Sequence, residues 1–201
     1  MNLPNKITTA RLLLAAVLFV LLDLLGREPL PGWKLTAVCF FLFIVVTATD
    51  ALDGYYARKL DLISDFGRIA DPAADKVIIC GSFVFLSAVA WGRDIVPPWI
   101  VVTIIAREFI VTALRGFMET KGHAFGAEMS GKLKMIVQCI AIPAVLMTHM
   151  SAELFLERWP AVDTFFWWLA VGMVWATLVI TVWSGIHYIA KSWKHLKESG
   201  I

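Results

Sequence analysis

The chain has 201 residues, is 59% hydrophobic and only 17% charged, and carries a net charge of +2 with a mean hydropathy of +0.75. Soluble domains run nearer half apolar and a quarter charged, so this composition excludes an ordinary aqueous globule and a disordered chain. The weak net charge supplies no bulk basic field for nucleic acid, and what remains is an all-α, polytopic membrane protein.

Six stretches have the roughly 20 apolar residues that a helix needs to cross a bilayer. They run from Thr8 to Leu25, Lys34 to Arg58, Phe66 to Trp91, Pro97 to Met118, Met129 to Met150, and Val162 to Ala190. The links are short, with no internal repeat, which predicts one domain over residues 1–201. The first stretch lacks the small-residue cleavage motif of a signal peptide. Lys6, Arg11, Arg58, Lys59, Arg68, Arg115, Lys121, Lys132, Lys134, Lys191, Lys194 and Lys197 crowd one side, while Arg27, Lys34, Arg93 and Arg158 flank the other. That asymmetry predicts both termini in the cytoplasm. Trp33, Trp91, Trp99 and Trp159 then fall at the outer interface, where indole rings favour the headgroup level. Trp167, Trp168, Trp175 and Trp183 lie within the last span and read as packing or lipid contacts. Cys39, Cys80 and Cys139 lie far apart in apolar runs, a spacing that suits neither a disulfide framework nor a zinc site.

Four aspartates interrupt this pattern. Asp50 and Asp53 close the second span, and Asp71 and Asp75 open the third. A mid-membrane Asp costs about 2.5–3.5 kcal/mol on insertion scales, so the cluster calls for a wet, cytoplasm-facing cavity and a positive ligand. Spacings of three and four put each pair on one helix face, and the short link makes the two helices antiparallel neighbours. Ligands that are all oxygen suit Mg²⁺ or Mn²⁺, and four carboxylates are enough to bridge two ions. Gly54 and Gly67 lie on the carboxylate faces, where they leave room either for a ligand or for close helix packing. Arg58, on the same stripe, reaches a phosphate or snorkels to the surface. Asp50, Asp75 and Arg107 each lie seven or eight residues inward from Arg58, Arg68 or Arg115. At 1.5 Å per residue they share a depth of about 10–12 Å. Arg107 reads either as a salt-bridge partner of Glu108 or a motif aspartate, or as the receiver of an anionic substrate.

Asp50, Asp53, Gly54, Ala57, Arg58, Gly67, Asp71 and Asp75 form Asp-x2-Asp-Gly-x2-Ala-Arg-x8-Gly-x3-Asp-x3-Asp. This resembles the signature of the CDP-alcohol phosphotransferase family of membrane enzymes. The resemblance implies six transmembrane helices, a homodimer, and transfer of a substituted phosphate from a CDP-linked donor to an alcohol, with release of CMP. It implies that Asp50, Asp53, Asp71 and Asp75 hold two metal ions and that Asp75 also takes the proton of the attacking hydroxyl. Gly54, Arg58 and Gly67 would line the CDP-diacylglycerol site, with Ser64 either joining them or serving as a plain loop residue.

Further likeness lies in Leu3-Pro4-Asn5-Lys6-Ile7-Thr8-Thr9-Ala10-Arg11, in Ile105-Ala106-Arg107-Glu108 with Ala113-Leu114-Arg115, and in Gly131-Lys132-Leu133-Lys134 with Gln138. These segments resemble the bacterial branch that works in phospholipid biosynthesis at the cytoplasmic membrane with glycerol 3-phosphate as acceptor. Met135 departs from the Thr common at that position. The acceptor phosphate needs cations, and Arg107, Lys132, Arg115 and Arg11 are assigned to it. Lys132 and Lys134 lie about 200° apart round a helix, so Lys134 is read as a lipid-headgroup contact. Asn5 and Thr8 are either substrate contacts or helix caps, and the four histidines are read as structural. Two other readings stand beside this one. They are synthesis of phosphatidylinositol phosphate or cardiolipin by the same chemistry, and transport of a divalent cation.

Overall fold

Apolar residues three and four apart build the inward face of each long helix. Leu18, Leu22 and Leu25 recur on the first, Cys39, Phe43 and Val46 on the second, and Ala170, Val174 and Leu178 on the last, all within one buried core. That spacing is the helical period. The opposite faces are apolar too. Leu13, Val20, Phe41, Val102, Phe109, Trp168 and Trp183 are exposed, and a helix that is apolar all round belongs in lipid or deep in a core.

The computed structural model describes residues 3–27, 32–59, 65–121 and 129–198; the side chains of 3–6, 50–59, 65–70, 130 and 194–198 are outside the description. Among the described residues every element is a helix. They are α1 (Leu3–Leu25), α2 (Trp33–Lys59), α3 (Asp65–Ala88), α4 (Ala90–Arg93), α5 (Pro98–Thr120), α6 (Met129–Phe155) and α7 (Pro160–Glu198). The six long ones coincide with the six apolar stretches. Three carry segments long and apolar enough to cross a membrane, namely Ile7–Leu25, Gly131–Phe155 and Pro160–Trp193, and α2 carries a shorter one, Trp33–Thr49.

The helices pack as a ring. α1 lies against α2 and α3, α2 against α6, α6 against α7, α7 against α5, and α5 against α3, while α3 also touches α6 across the interior. The third stretch ends earlier than its apolar run predicts. Val89 is extended (φ −76°, ψ 136°) and separates α3 from the single turn α4. Gly92 makes that turn possible, because a Cβ there would fall on the carbonyl oxygen of Leu86.

The turn-bearing end is fastened by polar contacts. His149 Nδ1 lies 2.9 Å from Thr36 Oγ1, and the His149 ring packs against Trp91 at 4.6 Å between centroids. The backbone N–H of Trp33 donates to Glu153 Oε2 at 2.7 Å, and Ser151 Oγ donates to Asp163 Oδ1 at 2.6 Å. Trp33, Trp99 and Trp159 are exposed near these helix ends, whereas Trp91 is half-buried against the histidine. The cysteines are unpaired.

Candidate active site

Asp71 and Asp75 stand one turn apart near the start of α3. Thr8, on α1, is buried and donates its hydroxyl to Asp71 Oδ1 at 2.6 Å. A carboxylate oxygen fixed in this way has a set direction, as ligating carboxylates do when an outer partner holds them. Arg11, one helical turn further along α1, is also buried, with Nη2 3.5 Å from the carbonyl oxygen of Asp71.

Asp75 opens onto a cavity of about 460 Å³ inside the ring. α3 contributes Asp75 and Lys76, α5 contributes Arg107, Glu108, Arg115 and Glu119, α6 contributes Lys132 and Lys134, and α7 contributes Tyr188. Cations outnumber carboxylates on this wall, so it suits a small anion.

The buried centre of the wall is Glu108. Its Oε1 accepts from Lys134 Nζ and lies 3.4 Å from Arg107 Nη1. Arg107 Nη2 donates to Ser184 Oγ on α7 at 3.0 Å. Gly185 gives the arginine stem its passage, since a Cβ there would stand 3.0 Å from Arg107 Cγ. Lys76 Nζ donates to Thr112 Oγ1 at 2.6 Å, and Thr112 in turn donates to the Glu108 carbonyl oxygen at 2.6 Å. Arg115 lies over the Tyr188 ring at 5.9 Å, within cation–π range.

Of the residues singled out from sequence, the cavity gathers Asp75, Arg107, Arg115 and Lys132. Arg11 is not among the described residues that line it; its guanidinium is packed against α3 beside Asp71. The headgroup reading of Lys134 is corrected: it lines the same cavity as Lys132 and is paired to Glu108. Two long, flexible stems can bend toward one space from positions 200° apart, because the charged ends travel far from the helix axis. Asp50, Asp53, Gly54, Arg58, Ser64 and Gly67 lie outside the described side chains. Among the side chains that are described, no three acidic, histidine or cysteine groups gather as a metal cluster. The oxygen chemistry of Asp71 and Asp75 fits a hard dication, and Thr8 already orients one of the two.

A protein-family model described as CDP-alcohol phosphatidyltransferase matches residues 1–183. The chain belongs to this family. Three similar proteins carry the name CDP-diacylglycerol–glycerol-3-phosphate 3-phosphatidyltransferase. The one from Bacillus subtilis is 36% identical over 206 aligned residues, covering 98% of each chain. The one from Pseudomonas fluorescens is 31% identical over 100% of this chain and 94% of its own length. The one from Rickettsia typhi is 34% identical over 73% of this chain and 76% of its own. Among the described residues, Asp75 is the motif aspartate on the wall of the cationic cavity, and Asp71 stands one turn from it on α3.

Proposed function

We propose that this protein transfers the phosphatidyl group of CDP-diacylglycerol to glycerol 3-phosphate, giving phosphatidylglycerophosphate and CMP. The observation that carries the reading is that Asp75 shares one cavity with Arg107, Arg115, Lys132 and Lys134. A general base and a phosphate-binding wall are thereby within reach of one small molecule. The names and near-complete overlap of the relatives support the same reaction.

Asp50, Asp53, Asp71 and Asp75 would hold two Mg²⁺ or Mn²⁺ ions. When bound, such ions offset negative charge on a pyrophosphate and on a departing phosphate. The chain's own residues do the rest. Thr8 holds Asp71 in direction. Gly54, Arg58 and Gly67, with Ser64, border the CDP moiety. Arg107, Arg115 and Lys132, joined by Lys134, hold the acceptor phosphate, so its free hydroxyl points toward Asp75. Asp75 takes the hydroxyl proton as the oxygen bonds to the phosphorus carrying diacylglycerol, and the bond from that phosphorus to CMP breaks. The in-place geometry replaces a bimolecular encounter by a local one.

In this reading the six long helices work as one domain, all spanning a bacterial cytoplasmic membrane, with the cavity toward the cytoplasm and the chain paired as a homodimer. Acyl tails stay in lipid while the headgroup reaches the aspartates. A cation transporter would not line the aspartate cavity with Lys76, Arg107, Arg115, Lys132 and Lys134.

The test is CMP release by the purified protein with labelled CDP-diacylglycerol and a panel of acceptors. The panel is glycerol 3-phosphate, inositol phosphate, phosphatidylglycerol and serine. Turnover with glycerol 3-phosphate, abolished by Asp75→Asn, is expected. Turnover confined to another acceptor would overturn the substrate assignment.

A further inference from the structure

We propose that Glu108 is a positioning residue, a buried anionic clasp that presets the cations of the phosphate-binding wall. The proposal rests on the reading of the cavity as an anion site, and its test separates the two.

Glu108 is 6% exposed, and a glutamate is buried that deeply only when it is paired. Its side chain is 8% exposed, and its partners Arg107 and Lys134 are 13% and 12% exposed. All three charges are therefore weakly screened by water. Arg107 projects from α5 and Lys134 from α6, and both cations address the same oxygen, Oε1. Without an anion between them, two such cations repel and swing apart. With it, both ends are held on the cavity wall before a ligand arrives.

The clasp has further anchors. Ser184 on α7 takes the other arm of Arg107. Thr112 links the Glu108 carbonyl to Lys76 on α3. Four helices thus meet around one residue. One carboxylate serves two cations, so the cluster keeps a positive surplus. A phosphate then binds cations whose side-chain freedom is already lost, and preorganisation of this kind lowers the ordering cost of binding.

Glu108 touches neither reacting atom in this account. Its loss should weaken anion binding and spare the donor. The experiment uses full-length detergent-purified protein and inorganic phosphate as probe, read by calorimetry, together with saturation curves for both substrates. Glu108→Gln keeps the shape and loses the charge, which guards against a fold defect in Glu108→Ala. The phosphate dissociation constant and the KM for glycerol 3-phosphate should both rise about tenfold or more in Glu108→Ala, with a smaller rise in Glu108→Gln. The KM for CDP-diacylglycerol should stay within about twofold, because the donor's phosphates are assigned to the metals and Arg58 rather than to the cations that Glu108 holds.

Unchanged or tighter phosphate binding in Glu108→Gln would overturn the proposal. Tighter binding would make Glu108 a competitor for the cations. Equal shifts in both KM values would reduce it to a helix-packing residue, and the absence of phosphate binding by the wild type would also overturn it. Glu108-dependent phosphate binding in a protein that does not turn over glycerol 3-phosphate would support the clasp while removing the acceptor assignment.

Discussion

Replacing Thr8 by Val tests whether α1 tunes the proposed metal site at Asp71 on α3. The change keeps the branched shape of a buried side chain and removes the hydroxyl that lies 2.6 Å from Asp71 Oδ1. A hydrogen bond to a charged group contributes about 1.5–3 kcal/mol, which corresponds to about 10- to 150-fold in an equilibrium constant. Loss of an outer partner of a metal-binding carboxylate has the same range, about 10–100-fold in affinity. The Mg²⁺ concentration that supports half-maximal CMP release should therefore rise about tenfold or more in Thr8→Val. Turnover at saturating Mg²⁺ should recover most of the wild-type rate. Thr8→Ser, which keeps a hydroxyl at Cβ, should sit near wild type. Thermal stabilisation of the purified protein by Mg²⁺ alone gives a second readout that needs no catalysis. An unaltered Mg²⁺ curve would refute the reasoning. So would a rate loss that persists at saturating Mg²⁺, since the hydroxyl would then act on substrate rather than through Asp71.

Arg107→Ala should raise the KM for glycerol 3-phosphate by about an order of magnitude with little change for the donor, and Arg107→Lys should recover part of it, because a point charge lacks the two-pronged contact; paired saturation curves decide this. Gly92→Ala should destabilise the protein by about 1–3 kcal/mol, the usual range for overpacking, seen as a lower thermal midpoint. Gly116→Ala, with open space around its Cβ position, should leave that midpoint in place. Cysteines replacing Lys121 and Arg93 should label from opposite sides of the membrane, Lys121→Cys from the cytoplasm; labelling from the same side would overturn the orientation drawn from loop charges.

The long helices were legible because apolar length and helical period both act within one segment. The aspartate motif was legible for the same reason, its spacing lying inside two adjacent segments. The break at Val89 was not, since Phe85 through Trp91 is apolar but for Ser87 and has no Pro or Gly to stop a helix. Contacts between distant segments left no local trace. Thr8 and Asp71 are 63 positions apart, and Glu108 and Lys134 are 26 apart. Glu108 attracted notice only as a neighbour of Arg107. The signal that could have found it was a carboxylate about three turns from either end of an apolar helix, where a charge without a partner is costly. Helix angle alone misplaced Lys134, because it describes where a Cβ points rather than where an ammonium at the end of four methylenes comes to rest.

The polar contacts of His149, Glu153 and Ser151 have a mechanical side. His149 lies 15 residues along α6 from Lys134, or about 22 Å at the helical rise. A helix fastened there by polar contacts to α2 and α7, and at its other end by the Lys134–Glu108 pair, can pivot about the first end. A tilt of about 10° at the pinned end moves the far end by about 4 Å over that length, close to the width of an acyl chain. For the proposed two-tailed donor, a tilt of that size would widen the cavity end while the far-end contacts stay closed.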